Sequence, residues 1–88
     1  MKLSCKIKVK NSQGLHARPA TAIVRLLQDS QSSVTFTYHN ETVNAKSIMG
    51  ILMLAAGKHA VITVDIEGDD AEEVMKKLSS AFEKEFEG

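Results

Sequence analysis

The residue types best suited to chemistry lie around His16, where a loop meets the start of a predicted helix, directly before Ala17-Arg18-Pro19. The start of a helix has free N–H groups and partial positive charge, so it holds anions and disfavours a charged imidazole. Arg18 adds a planar donor fork that suits phosphate oxygens. This combination could accept a phosphoryl group. On residue types alone, however, the plainer interpretation is favoured: a solvated histidine near a helix cap beside a surface arginine.

The other candidate residues do not combine into a second site. His39 falls in a predicted turn and His59 lies just before a predicted strand, so both are expected at the surface. The spacing of the three histidines matches no zinc template, and Cys5 has no second cysteine to pair with. Glycine-rich nucleotide motifs are absent from the sequence, so we predict neither a metal nor a cofactor. His16 has no accompanying acid–base group, and a true enzyme is therefore not expected.

A short apolar segment after Ser47 supplies an independent clue. Ser47 is expected to be the N-cap of a helix that ends with Gly57 as its C′ residue. The segment is apolar nearly all round, so packing one face on a sheet should leave other side chains toward solvent. These exposed side chains are Ile48, Met49 and Leu52. They form either a partner surface or a surface that other loops cover, and the sequence does not decide between the two.

The remaining elements follow from hydrophobic periodicity. Apolar residues alternate with polar ones over 3–9, 34–38, 43–45 and 60–67, which predicts four strands. Helical spacing predicts one helix over 17–28, with Pro19 in its first turn, and a last helix capped by Asp69 or Asp70. The order βαββαβα favours an α+β sandwich with helices on one face of a mostly antiparallel sheet.

Composition limits the class of protein. The chain has 88 residues, which we take as a single domain spanning 1–88. Eleven basic and eleven acidic residues give no formal net charge, which argues against a nucleic-acid binder. The longest apolar stretch, 48–57, is shorter than the about 20 residues needed to cross a bilayer. Lysines interrupt the first ten residues, so no signal peptide or membrane insertion is expected and a cytoplasmic protein is predicted.

Two motifs resemble the signatures of one family. Residues 14–20, Gly-Leu-His-Ala-Arg-Pro-Ala, are similar to the active-site signature of HPr, the histidine-containing phosphocarrier of the bacterial phosphoenolpyruvate-dependent phosphotransferase system. Residues 46–50, Lys-Ser-Ile-Met-Gly, resemble the family's second signature around a regulatory serine. The resemblance implies an open-faced sandwich, a four-stranded antiparallel sheet with three helices on one face.

The resemblance also implies a function. Enzyme I would phosphorylate Nδ1 of His16, and the phosphoryl group would pass to enzyme IIA domains in sugar uptake and its regulation. Arg18 and the backbone amides of Ala17 and Arg18 would bind the phosphoryl group, with no cofactor. The protein would be a stoichiometric carrier and a monomer. By position in the family pattern, the residues that contact partners would be Ala20, Thr21, Arg25, Ile48, Met49 and Leu52.

Ser47 and the branch of the system stay open. In some family members a kinase, reversed by a phosphatase, modifies the equivalent serine, whereas the cap role alone also explains Ser47. A nitrogen-branch regulatory phosphocarrier would use the same His16 chemistry. The presence of His16 argues against the family's regulatory paralogue that lacks this histidine. A small ligand-binding regulatory module without phosphohistidine is an alternative of another class. The sequence names neither the sugar nor the downstream acceptor.

Overall fold

The computed structural model describes residues 1–86, and this range contains four strands and three helices. In chain order the elements are β1 (Lys2–Lys8), α1 (Ala17–Leu27), β2 (Ser33–Tyr38), β3 (Glu41–Asn44), α2 (Ile48–Met53), β4 (Val61–Glu67) and α3 (Ala71–Glu83). The predicted order βαββαβα is therefore confirmed.

The strands form one antiparallel sheet in the order β1-β4-β2-β3. β4 lies centrally, with Lys2 of β1 and Ser33 of β2 both opposite Glu67. Because side chains alternate across a strand, Ile62, Val64 and Ile66 of β4 point to one face and are buried, while Val61 and Asp65 point to the other face and are exposed. The alternation read from the sequence thus fixes which face of the sheet is covered.

The helices cover that apolar face and complete the core. The buried residues of α1 and α3 join those of the strands in one hydrophobic cluster. At its centre the ring of Phe36 on β2 meets that of Phe82 on α3 edge to face, with centroids 6.1 Å apart. This arrangement confirms the predicted α+β open-faced sandwich.

The end of α2 differs from the prediction. The helix stops at Met53, Leu54 is its C-cap, and the residue that adopts a left-handed φ of 51° is Ala55. Gly57, predicted at that position, does not have a left-handed φ. Leu54 and Ala56 are both buried, so the chain has to turn between them to place both side chains in the core. Tertiary burial therefore outweighs the local preference for glycine.

The start of α3 also differs in detail. Asp70 is the N-cap, but its carboxylate makes no bond to the first turn of the helix. It accepts the backbone N–H of Gln31 at 2.8 Å and the hydroxyl of the buried Ser32. These two bonds, in that order of importance, hold the pKa of Asp70 below its ordinary value. Asp70 thus ties the α1–β2 loop to α3 instead of capping the helix with its side chain.

Candidate functional site

His16 occupies the N-cap position of α1, with φ −82° and ψ −169°, and its imidazole makes no capping bond. The first helical bond runs from the N–H of Ala20 to the carbonyl of His16, at 3.0 Å. The amides of Ala17 and Arg18 precede that bond, so the helix offers them no carbonyl partner, and Pro19 has no N–H. Two free backbone donors, the half-buried imidazole and the exposed Arg18 therefore lie at one helix start, as the sequence predicts.

An open depression surrounds this helix start. His16, Arg18 and Arg25 line it, together with residues 11–13 of the preceding loop and with Glu85 and Phe86. The two arginines make this depression suited to an anion, and Glu85 is the acidic residue among its lining. Glu85 and Phe86 were not anticipated from the sequence, because nothing in the pattern of α3 shows where the chain goes after the helix ends.

A turn after α3 brings those two residues to the depression. The N–H of Phe86 donates to the carbonyl of Ala81 at 2.8 Å, and the N–H of Glu85 donates to the carbonyl of Phe82 at 3.1 Å. Both Glu85 and Phe86 have left-handed φ values, 54° and 62°. This is the bonding pattern of a Schellman turn, in which the residue after the turn packs back on the helix. The Phe86 ring does so, with its centroid 4.9 Å from that of Phe82.

The loop before His16 is fixed by hydrogen bonds between its own residues and by one hydrogen bond to the segment that follows α2. Gly14 donates its N–H to the carbonyl of Asn11 at 3.0 Å, and the Asn11 side-chain amide donates to the carbonyl of Gly14. Leu15 is buried, and its N–H donates to the carbonyl of Ala56 at 2.9 Å. Gly14 has φ +69°, a conformation that other residues rarely adopt. The glycine and leucine of the first signature motif therefore serve to fix the loop that leads into His16.

Ser47 caps α2 as predicted. Its Oγ accepts the N–H of Gly50 at 3.0 Å, and its carbonyl accepts the N–H of Ile51 at 3.0 Å. The neighbouring Lys46 reaches back to the α1–β2 loop, where its Nζ donates to the carbonyl of Ser30 at 3.2 Å. The Ser47 side chain is half-buried, so its hydroxyl is bonded at the edge of the protein rather than in the core.

Four apolar side chains of α2 lie exposed and together form what we call the α2 patch: Ile48 (39% exposed), Met49 (69%), Leu52 (36%) and Met53 (64%). The same helix buries Ile51 completely against the core. Of the two interpretations left open by the sequence, the structure therefore favours the exposed surface, because all four side chains keep at least 36% of their area accessible among the described residues. Met53 was not predicted, although it lies four residues after Met49 and so shares its helical face.

The predicted docking residues on α1 divide into two groups. Thr21 is half-buried and donates its hydroxyl to the carbonyl of Ala17 at 2.8 Å, and Arg25 is exposed. Ala20 is fully buried, in the apolar stripe of α1 with Ile23. The prediction that the Ala20 side chain contacts a partner is therefore wrong, since that side chain belongs to the core.

The remaining histidines and the cysteine lie apart from this site. His39 and His59 are exposed, as predicted. Cys5 is half-buried, with its Sγ 3.1 Å from Sδ of Met75, and desolvation, followed by the nearby charge of Asp65, raises the pKa of its thiol. Within residues 1–86, no group of three or more histidine, cysteine or acidic side chains could hold a metal ion. In the same range, none of the helices is both long and apolar enough to span a membrane.

Comparison with known proteins agrees with this geometry. Residues 3–84 match the family model described as the PTS HPr component phosphorylation site. The chain is 44% identical over 84 residues to the phosphocarrier protein HPr of Chlamydia trachomatis, covering 96% of this chain and 77% of that protein. The crystal structure of HPr from Thermoanaerobacter tengcongensis superimposes with a TM-score of 0.91 at 40% identity, covering 96% of this chain and 94% of that one.

A third relative is Crh, the catabolite repression protein of Bacillus subtilis, whose crystal structure is described as a swapped, intertwined dimer. It has a TM-score of 0.76 at 33% identity and covers 93% of this chain and 94% of that one. Together, the sandwich fold and the histidine at the start of α1 define a bacterial type of phosphocarrier. The chain belongs to the HPr family of the phosphotransferase system.

Proposed function

We propose that this protein accepts a phosphoryl group on His16 from phospho-enzyme I and passes it to enzyme IIA domains in sugar uptake and its regulation. The observation that carries this proposal is the imidazole of His16 at the start of α1, which makes no capping bond and lies at the same helix start as the two free amides and Arg18. Membership of the HPr family supports the same conclusion. The protein acts as a carrier, and His16 of each chain holds one phosphoryl group at a time.

The transfer step needs only groups that the site contains. Unprotonated Nδ1 of His16 attacks phosphorus; the P–Nδ1 bond forms while the bond from phosphorus to the donor breaks, and that electron pair stays with the donor. The amides of Ala17 and Arg18 and the guanidinium of Arg18 bind the phosphoryl oxygens, and the partial positive charge of the helix start stabilises them. The reverse step delivers the phosphoryl group to the acceptor.

The α2 patch is proposed as the surface on which both partners dock, together with Thr21 and Arg25 of α1. α1 starts directly after His16 and is in contact with α2, so the proposed docking surface spans the helix next to the reacting imidazole and the helix packed against it. Exposed apolar side chains on one helix and an exposed arginine on the neighbouring helix suit a partner surface with an apolar centre and an acidic rim. Neither partner has to enter a deep pocket, because the depression around His16 is open.

Ser47 is proposed as a second, regulatory phosphorylation site, used by a serine kinase and phosphatase where the host has them. The hydroxyl lies at the edge of the protein, directly before the first residue of the α2 patch. A phosphate there would be stabilised by the start of the helix but would place negative charge where partners dock. Docking would then be weakened without unfolding the protein.

The rest of the proposal concerns assembly and pathway. We propose a cytoplasmic monomer made of one domain over residues 1–88, in which residues 87 and 88 lie outside the described range. A nitrogen-branch carrier would use the same site, so the branch is decided by which enzyme I phosphorylates the protein. Parallel assays with the sugar-branch and nitrogen-branch forms of enzyme I, under the same conditions, separate the two.

The proposed function is tested by incubating the protein with enzyme I and phosphoenolpyruvate and examining the stability of the adduct. We expect an adduct that is labile in acid and stable in base, as expected for phosphohistidine, and its absence in His16→Ala. The matched control is His59→Ala, which removes an exposed histidine and should be labelled like the parent. An acid-stable adduct, or no adduct, would refute the proposal.

A further inference from the structure

Two loops are held against each other by backbone atoms next to the proposed phosphorylation site. One is the His16 loop, residues 10–15, and the other is the α2–β4 loop, residues 54–60. The N–H of Leu15 bonds to the carbonyl of Ala56 at 2.9 Å. Directly before the His16 loop, Val9 donates its N–H to the carbonyl of Ala60 and accepts the N–H of His59, both at 2.8 Å. Leu15 and Ala56 are buried, so this contact is shielded from water.

The contact is close because Gly14 has no side chain. A Cβ built at Gly14 would lie 2.3 Å from the carbonyl oxygen of Ala56 and 2.6 Å from Cα of Gly57. Both atoms belong to the backbone and cannot rotate away. Since ordinary contact starts at 3.4 Å, an alanine at position 14 has to move the loops apart by about 1 Å.

Gly57, on the other side of the same contact, is not restricted in this way. A Cβ built at Gly57 meets nothing within 4 Å, and its φ is not left-handed. The two glycines therefore form a matched pair, in which the added methyl group separates the loops at position 14 and points into open space at position 57.

This contact links the two parts of the proposed function. Gly14 and Leu15 directly precede His16, and Ala56 lies three residues after the last residue of α2, which carries the α2 patch. We propose that Gly14 is a positioning residue for phosphoryl transfer: by permitting backbone contact with the α2–β4 loop, it fixes His16 relative to the docking surface. This inference rests on the proposed function, because it concerns transfer from a docked partner.

The test compares the parent, Gly14→Ala and Gly57→Ala with two phosphoryl donors. Phospho-enzyme I has to dock before it reaches His16. Phosphoramidate is a small donor that transfers its phosphoryl group to imidazole with release of ammonia and needs no docking. For Gly14→Ala we expect transfer from enzyme I to fall about 10- to 100-fold, because a displacement of about 1 Å misaligns the reacting atoms, while phosphoramidate reacts within about twofold of the parent. Gly57→Ala should match the parent with both donors, and circular dichroism should show all three proteins folded.

The outcomes separate the inference from the proposed function. If the parent accepts nothing from enzyme I, the proposed function fails and the inference fails with it. If enzyme I phosphorylates the parent and Gly14→Ala at the same rate, the positioning role of Gly14 is refuted while the proposed function stands. If Gly14→Ala loses transfer rate equally with enzyme I and with phosphoramidate, the positioning role is also refuted, because the substitution would then act on the imidazole itself or on the fold.

A measurement on the parent covers the case in which Gly14→Ala does not fold. Hydrogen exchange of the Leu15 amide reports directly on its bond to Ala56. Slow exchange supports a fixed contact between the loops. Exchange at the rate of an unstructured peptide would overturn the inference, whatever the variant does.

Discussion

Ser47 offers the sharpest separation of a structural role from a regulatory one. Its Oγ accepts the N–H of Gly50 at 3.0 Å, which is the side-chain cap of a helix only six residues long. Removing that acceptor with Ser47→Ala should lower the free energy of unfolding by about 1 kcal/mol. In a domain of this size such a loss corresponds to a melting temperature lower by about 4–8 °C. Phosphoryl transfer to His16 should remain near the parent rate, because the α2 patch keeps its shape and neutrality.

Ser47→Asp should behave in the opposite way. Its carboxylate can still accept the N–H of Gly50, and the helix start favours a negative charge, so stability should equal or exceed that of the parent. The same charge lies beside Ile48, at the edge of the α2 patch, where an incoming phosphoryl group also carries negative charge. Repulsion and the cost of desolvation should slow transfer from enzyme I by about tenfold.

The assay measures transfer rate and melting temperature on the same samples. Ser79→Asp is the matched control, because it adds the same charge to an exposed position of α3. If Ser47→Asp transfers as fast as the control, Ser47 is a cap without a switching role. If Ser47→Asp is markedly less stable than Ser47→Ala, the reasoning from cap geometry and helix field is wrong.

The other predictions concern docking, backbone strain and pH. Met49→Glu should weaken binding of enzyme I, measured by titration calorimetry, while changing stability by less than about 0.5 kcal/mol, since Met49 is 69% exposed. The control Val61→Glu, on the uncovered side of the sheet, should leave this binding unchanged. Unfolding of Met49→Glu would show that Met49 belongs to the core and would contradict its place in the α2 patch. Ala55→Gly should raise the free energy of unfolding by about 0.5–1 kcal/mol in urea titrations, because φ 51° costs alanine more than glycine; Ala56→Gly, at a buried position, should lower it. The depressed pKa of Asp70 contributes stability that is present above the ordinary carboxyl pKa and is lost as the pH falls through the folded value. Asp70→Asn should therefore reduce the melting temperature at neutral pH and flatten its fall in acid, and an unchanged acid limb would contradict this assignment.

The sequence predicted those features that depend on neighbours along the chain. Alternation in 60–67 identified β4 and its buried face, because period two leaves little freedom in a half-buried strand. The N-cap at Ser47 and the position of His16 at the start of α1 were likewise local consequences of residue type. The two signature motifs added the family, which composition and periodicity alone do not give.

The failures arose where distant parts of the chain decide the outcome. Gly57 has the residue type of a helix end, but burial of Leu54 and Ala56 makes the chain turn at Ala55. The acidic cap predicted for α3 is diverted to the α1–β2 loop, since the carboxylate of Asp70 finds donors there.

The functional surface shows the same limit. Ala20 was assigned to the docking surface by position in a family pattern, yet it points into the core. The turn that brings Glu85 and Phe86 into the depression depends on packing of Phe86 against Phe82, which no local pattern reveals.

The central claim is that His16 holds a phosphoryl group and passes it on. The most direct measurement isolates the protein labelled with phosphoenolpyruvate and enzyme I, maps the label, and then adds an unlabelled enzyme IIA domain. We expect one phosphoryl group per chain, and phosphorus NMR should show it bound to Nδ1 of His16. When the IIA domain is added, this phosphoryl group should move to it. Label found on Ser47, His39 or His59, or label on His16 that is lost only to water when the IIA domain is present, would contradict the account.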